Sequence, residues 1–578
     1  MKKYLIILSI LFFNFGNSQQ LAFPDAYGAG AYATGGRGGK IVHVTNLNDS
    51  GVGSLRWALL DNSNKADVRT IVFDVSGLIN LNSDIYMSNN PGDTGGFVDG
   101  ITIAGQTAPL GGITITGGKI RMFSINNVIV RYLTFRETTS TDGCFSNTNG
   151  NNIIIDHLSG SHTGDIIFSI TSSDQITTNK TIQNCLFAQS KNGLIIGDSS
   201  PLTDEDYGDI SVLRNAYYNV GWRVPFKGGG AIKVDAINNI AHSWSDRLIR
   251  MDAYDYTLNH IENYYQAGGS TTNRLLWVSW NNNVNATPRI YNQNNFLEDA
   301  PRGSYSKPSG YDLDESVAWT EFQNNFQQLP SSWFASTMYP LKGRVPTILS
   351  NSQLKTEVLS LVGNSQYIND SGDVSFYRDS YDTVYVNGIN NNDNISRDSS
   401  DPSPITVLSN SRPAGFDKDG DGIPDLVEDA NGLDKNDATD GALIHTSGYS
   451  NLEYFYLNKV DEVTPDTTPP TDPTNITISN ITNTTATVTW NASTDDVGVS
   501  GYYIKNGVAS ISTVTGGESY NFTSLSPDTT YFFFVSAFDA AGNESADVQF
   551  SFTTTNTAAP EPSPVNKQQA KKLIIINY

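Results

Sequence analysis

The chain has 578 residues, a formal net charge of −23, 50 glycines, 5 methionines and 2 cysteines. That length exceeds one ordinary domain, a glycine-rich, methionine-poor composition excludes a helical bundle, and the acidity excludes general binding to nucleic acid or an anionic membrane. Two cysteines, Cys144 and Cys185, exclude a disulfide framework; one bridge in an oxidising compartment and two buried thiols stay open, the thiols being favoured.

Met1-Lys2-Lys3, the apolar run 4–13 and the small or polar residues 16–19 read as a secretory signal over 1–19. The run is too short for a membrane span and no later stretch is long and apolar enough, so an exported protein is expected. It would be extracellular, cell-surface or periplasmic, and a monomer. From residue 20 short β-branched runs alternate with Asn, Gly and Ser. Val128–Arg131, Ile153–Asp156, Thr181–Asn184, Ser211–Arg214 and Ile237-Asn238 overlay, with steps of 25, 28, 30, 24 and 24 residues between Arg131, Asp156, Asn184, Arg214, Asn238 and Glu262. A drifting period in the twenties, with three short strands and three turns per period, predicts an all-β parallel solenoid over 20–390. Leucine-rich repeats share that period but need a recurring Leu frame, which is absent. The pairs Asn126-Asn127, Asn151-Asn152 and Asn238-Asn239 fit tight turns and stacked Asn ladders.

Residues 391–415, rich in Asn, Asp, Ser and Pro, read as a linker. A compact acidic module follows over 416–458. Its run from Asp417 to Glu428 satisfies D-x-D-x-D-G-x5-E, with candidate calcium ligands Asp417, Asp419, Asp421, the backbone of Ile423, Asp425 and Glu428, and Gly422 for the sharp turn. The ion is expected to be structural, outside the solenoid. Asp434, Asn436, Asp437 and Asp440 offer a second, poorer site. A stiff linker spans 459–472. Residues 473–555 alternate as a β-sandwich does, with a buried Trp490 and a tyrosine corner after Leu525-Ser526-Pro527-Asp528. The closing 556–578 is a tail or truncated sorting signal.

Arg223 lies 32 residues after Lys191, a little over one turn, so the two cations can meet on one wall of the solenoid. In so acidic a chain, paired cations point to an anionic substrate. Asp142, Asp156 and Asp165 fall on neighbouring turns, and carboxylates beside a cation pair suit metal-assisted work on a uronate chain. His157 is expected to point into the stack as a core histidine; His162 could face the cleft.

Several motifs now converge. Residues 22–30, 35–40, 44–51, Gly53–Arg56, Ile71–Gly77 and Ile103–Pro109, with Asp156-His157, Ser190-Lys191 and Arg223-Val224-Pro225, resemble secreted bacterial pectate lyases of polysaccharide lyase family 1 over about 20–380. The resemblance implies a right-handed parallel β-helix that cleaves polygalacturonate with calcium. It implies that Arg223 takes the C5 proton, that Lys191 binds the substrate carboxylate and stabilises the enolate, and that Asp142 and Asp165 ligate the catalytic Ca2+. The acidic loop resembles EF-hand or thrombospondin type 3 loops, and 473–555 resembles fibronectin type III.

The chain departs from that pattern at three places. Ile166 replaces a possible ligand, Phe226-Lys227 stands where a second Arg is usual, and Arg214 replaces a common His. Lys227 is a candidate for gripping a substrate carboxylate. Arg214 is open between that role and a stacked structural one. The resulting expectation is a calcium-dependent pectate lyase acting on an anionic polysaccharide. The alternatives are a lyase for an ulvan- or alginate-like uronate polymer, or a polyuronate-binding protein without catalysis. The sandwich is read as a spacer, with a glycan-binding face as the alternative.

Overall fold

A computed structural model describes residues 19–90, 92–93, 95–138, 143–172, 177–197, 207–230, 232–252, 255–268, 271, 276–279, 288–298, 313–322, 325–326, 328–392, 405, 407–461, 469–495, 499–507, 509–514, 517–539 and 544–556. Asp142, the signal except Gln19, the tail except Asn556, and residues 462–468 of the stiff linker lie outside them.

Each turn of the parallel β-helix lays down one strand in each of three sheets, in a fixed order. The first sheet runs from Lys40–Val44 to Arg289–Gln293, the second from Val75–Asn80 to Phe296–Leu297, and the third from Ile85–Ser88 to Trp277–Ser279. The pairing is parallel and in register, as in Ile129↔Ile154↔Thr181↔Ser211. A side chain therefore stacks on its counterpart one turn away, about 4.8 Å off. Inward rows such as Ile120, Phe145, Phe168 and Leu194 are fully buried. Burying each of these side chains contributes roughly 1.5–3 kcal/mol. Cys144 and Cys185 are buried in this core and form no disulfide.

Between the first and second sheets the chain turns on one left-handed residue per coil: Tyr132, His157, Asn184, Arg214, Asn238, Glu262 and Asn294, with φ between 48° and 58°. Asn tolerates that backbone best, which is one physical source of the Asn density. The next residues form an internal ladder. Asn215 donates to Asn239, Asn239 to Asn263 and Asn263 to Asn295, at 3.1, 2.9 and 2.8 Å. A second ladder, at the return to the first sheet, runs Asn179 to Asn152 to Asn127 at 2.9 and 3.2 Å.

Two helices, Asn351–Leu361 and Ser380–Asn391, cover the outer face of the second sheet over Leu186, Ala188, Ala216, Tyr218 and Ile240. Under this cover Arg136 binds Asp379 and Asp382 at 2.6 and 2.7 Å. On the preceding strand of the same coil, Arg131 binds Asp156 at 2.8 Å and Asp461 at 2.6 Å.

The acidic module is part of this same body rather than an appendage outside it. Ile423, Val427, Leu452 and Tyr456 pack on Val72 and Ala104 of the first turns. The chain divides only after Asp461, so the stiff linker expected from 459 starts later, because Asp461 is locked in the Arg131 pair. Part of the linker expected over 391–415 is also ordered: Asn410–Ser411 adds an antiparallel strand to Val75–Asn80. The second unit is a β-sandwich of three and four strands. Trp490 is buried in its core, and the Ser526 N–H donates to the Tyr531 hydroxyl at 2.8 Å, forming the tyrosine corner.

Candidate active site

Strands of the second sheet end on a further column of left-handed residues: Glu137, His162, Gln189, Asn219 and Ser243. The loops that follow differ in length, and they form the corner between the second and third sheets. Backbone bonds stack them. Asn192 N donates to Asp165 O at 3.0 Å, Trp222 N to Lys191 O at 2.9 Å and Gly193 N to Trp222 O at 2.9 Å. Asp165, Lys191 and Arg223 thus occupy three successive turns of one corner.

Arg223 is held firmly although its side chain is not. Its neighbours Val224 and Phe226 are buried in the core, and the Tyr217 hydroxyl donates to Pro225 O at 2.7 Å. On the other side Arg247 stacks over the Trp222 ring at 4.2 Å. Arg223 itself has φ 62°, a backbone state that costs about 1–3 kcal/mol for a non-glycine residue. The guanidinium is half-buried, and its Nε and Nη1 meet no hydrogen-bond acceptor among the described residues. Burial lowers its pKa, and Arg250 pushes the same way while Asp165 and Asp252 oppose.

Lys191, one coil earlier, is exposed. Asp165 is half-buried and accepts a short hydrogen bond from the Asn192 amide, while Ile166 pairs in register with Asn192. Lys227 is buried and bound to Asp252 at 3.0 Å, and Arg250 donates to the same carboxylate at 2.7 Å. Arg250 and Asp252 escaped sequence reasoning. The signal for them was the register Lys227↔Arg250 in the third sheet, which irregular loops hide from a simple period.

Other candidates lie elsewhere. Arg214 occupies the corner between the first and second sheets, donates to Thr347 O at 2.8 Å and lies 5.5 Å from the Tyr27 ring centre. It is not brought to the Arg223 corner, so the stacked role fits its position. Asp156 is likewise turned away: it serves Arg131, His157, Gln183 and Asn184. His157 is buried and stacked on Tyr132 at 4.7 Å. His162 is half-buried against the Tyr385 hydroxyl of the covering helix, 3.5 Å away.

In the acidic module Asp417, Asp419 and Asp421 converge, and Asp421, Glu428 and Asp440 form a second overlapping trio. Asp440, expected in a separate poorer site, instead completes this one from twelve residues beyond Glu428. Asp434 and Asp437 are exposed and close local turns. Oxygens of Asp419, Asp421, Asp440 and both of Glu428 are buried without a donor among the described residues. Burial and crowding by like charge push Asp421 up to about 7 and Glu428 up to about 8. Such a set of orphaned oxygens fits a hard divalent cation. Asp425 does not face it: its carboxylate accepts from Lys418 N at 2.8 Å. Ile423 is buried, its N–H donating to Asp421 at 2.9 Å. His43 of the first strand bridges Asp74, at 3.0 Å, and Asp417, at 3.6 Å.

This chain is 31% identical over 457 residues to probable pectate lyase C of Aspergillus fumigatus, covering 78% of this chain and 96% of that protein. The corresponding protein of Neosartorya fischeri is 31% identical over 459 residues, with the same coverage. The chain belongs to the pectate lyase family. It is thus a polysaccharide lyase. Among solved structures, a pectate lyase from Bacillus sp. N165 in complex with trigalacturonate is 16% identical, covers 58% of this chain and 98% of its own, and has a TM-score of 0.40. The fibronectin type III domain model matches residues 471–551, in the second unit. A chitinase of Paenibacillus xylanexedens is 47% identical over 102 residues, 18% of this chain.

A calcium ion at this corner would need oxygen ligands from its loops. Asp165 supplies one carboxylate there, and the residue beside it, Ile166, supplies none. Among the described residues, the groups of three metal-ligating side chains all fall in the acidic module. Of the two residues expected to hold calcium at the corner, the structure describes Asp165, and Asp142 lies outside the described residues.

Proposed function

We propose that this protein is an exported, calcium-dependent pectate lyase that cuts (1→4)-linked galacturonan by β-elimination, releasing unsaturated oligogalacturonides. The observation that carries this reading is the partly buried guanidinium of Arg223, whose Nε and Nη1 meet no acceptor among the described residues, one coil from the exposed Lys191. A C5 hydrogen next to an ionised carboxylate is a poor acid, because removing it adds charge to a group already negative. Lys191 would meet that charge as it develops. Arginine ordinarily stays protonated. Burial and the nearby Arg250 make the neutral form less costly here, which supports Arg223 as the base.

The elimination balances simply. Arg223 takes the C5 proton, the C5–H electron pair becomes the C4–C5 double bond, and the C4–O bond breaks. The departing oxygen takes a proton from water. Lys227 and Arg250, already sharing Asp252, offer a neighbouring uronate a cationic patch. Calcium at the corner, assigned to Asp165 with Asp142, would neutralise the substrate carboxylate. Calcium in the module, assigned to Asp417, Asp419, Asp421, Glu428 and Asp440, would hold the first turns of the helix together.

The test is ultraviolet absorbance of unsaturated product on adding polygalacturonate, with and without chelator. Product with calcium and loss of it with chelator are expected. Product from alginate or ulvan alone would move the substrate, and no product from any uronate polymer would overturn the lyase reading.

A further inference from the structure

We propose that the Arg223 corner is one end of a longer groove, and that Arg121, Tyr86 and Phe123 at the other end grip the same uronate chain several sugars away. The inference rests on the reading that the substrate is a polyuronate. The floor of the groove is the outer face of the third sheet. Ile120, Phe145, Phe168 and Leu194 point into the core, so the residue after each points outward. Register joins these outward residues in one row, Arg121↔Ser146↔Ser169↔Ile195↔Lys227. Lys227 leads back along the chain to Arg223. At the far end Tyr86 pairs in register with Arg121, and Phe123 follows on the same face.

The row is bulky at its ends and low between them. Ser146 is buried, and Ser169 and Ile195 are half-buried; the two serines reach least from the sheet and leave a trough. At the far end the Arg121 guanidinium lies 5.5 Å from the centres of both the Tyr86 and the Phe123 rings. Those rings are 5.6 Å apart and inclined at 54°, and Tyr86 is exposed. Among the described residues the one ion pair of Arg121 is with Asp84, at 4.0 Å and near the surface, a contact that contributes little. Asp84 also accepts from the Lys119 N–H at 3.2 Å. The Arg121 Nε is buried and meets no acceptor among the described residues.

This chemistry suits one sugar of an acidic chain. The guanidinium fork can take a carboxylate in two hydrogen bonds, and an exposed aromatic ring beside it can cover an apolar face. A uronate presents both on one ring, a carboxylate and a face of C–H bonds. Phosphate lacks the face, and a neutral sugar lacks the charge. Continuity identifies the occupant, because the row that starts at Arg121 ends at Lys227, already part of the patch offered to uronate. Four register steps of about 4.8 Å place the two ends about 19 Å apart. Each (1→4)-linked sugar advances a chain by about one such step, so a chain of about five sugars along the solenoid axis touches both ends.

The experiment is calorimetric titration of full-length protein silenced by Arg223→Ala, with trigalacturonate and heptagalacturonate as probes. The trimer reaches one end of the groove and the heptamer both. Heptamer affinity should exceed trimer affinity by about tenfold or more, the scale of one added charged hydrogen bond. Adding Arg121→Met should bring that ratio down toward one. Tyr86→Ala, at an exposed position that the fold does not depend on, should lower it by about threefold or more, with the thermal midpoint retained. A ratio near one in the silenced protein, an unchanged ratio in both variants, or no binding of the heptamer would overturn the groove. A protein that yields no unsaturated product yet shows the length gain and its loss fails the lyase reading and keeps the groove. An active lyase without the length gain keeps that reading and loses the groove.

Discussion

Arg131 and Arg136 stand on one coil of the solenoid, three coils before that of Arg223, and their surroundings are opposite to its own. Each is buried and bound to two carboxylates, at 2.6–2.8 Å, and against the cost of burial those partners raise its pKa. Arg223 is less buried, has Nε and Nη1 unpaired, and is shifted downward by that burial. The first two pin distant chain segments, Asp461 and the helix Ser380–Asn391, onto the solenoid. The third is left with its hydrogen-bonding capacity unspent, aimed at a corner that the fold otherwise takes care to fix. Carboxylate pairing marks these two structural arginines, and Arg223 has no such pair among the described residues.

That contrast can be broken experimentally. Arg131→Ala leaves Asp156 and Asp461 without their cation, so denaturant unfolding should show a loss of about 3–5 kcal/mol. Turnover per folded molecule should be unchanged; a stability loss below about 1 kcal/mol would deny Arg131 its pinning role. Lys191→Ala should do the reverse, lowering kcat by about 10²-fold while the thermal midpoint holds. A change in KM alone would make Lys191 a binding group only.

Calcium removal tests the module's carboxylates against both. At calcium a hundredfold above its Kd, the ion should add about 2.7 kcal/mol to stability. Asp421 and Glu428 have raised pKa values, so without metal they keep protons that an unfolded chain releases above its ordinary carboxylate range. Their contribution is present at low pH and is lost as pH rises through about 7 and about 8. Scanning calorimetry at pH values spanning that window should therefore show the gap between calcium-loaded and chelated protein widening with pH. A constant gap would remove these groups from the site. The smallest effect is expected of Arg214→Ala, about 1 kcal/mol from its bond to Thr347, with turnover intact.

The parts legible in sequence are those set by local periodicity. Single-residue corners keep the first-to-second-sheet step short, so the coils show in the spacing, but the overlay slips by one residue after Asp156: Arg131 and Asp156 stand in register with Gln183, and Tyr132 and His157 precede Asn184 and Asn238 in the corner column. The Arg223 corner cannot be resolved that way. Its loops vary in length, so Arg250 and Asp252 come beside Lys227 only through third-sheet register. Spacing also misplaces Asp156, whose orientation is decided by Arg131 and Gln183. Asp440 falls in the wrong site on sequence because a short motif ends at Glu428, while the fold brings in a ligand from outside it. The module reads as standing apart because its apolar residues are few; its contacts with Val72 and Ala104 are long-range and leave no periodic trace.

The most direct test of the unpaired arginine is Arg223→Lys, measured as the rate of unsaturated product from polygalacturonate beside calorimetric binding of the same polymer. The substitution keeps a cation and removes the planar guanidinium. Turnover should fall by about 10²–10⁴-fold, with polymer affinity and thermal midpoint retained. Turnover within about tenfold of the parent protein (about 1.4 kcal/mol) would show that the proton goes elsewhere.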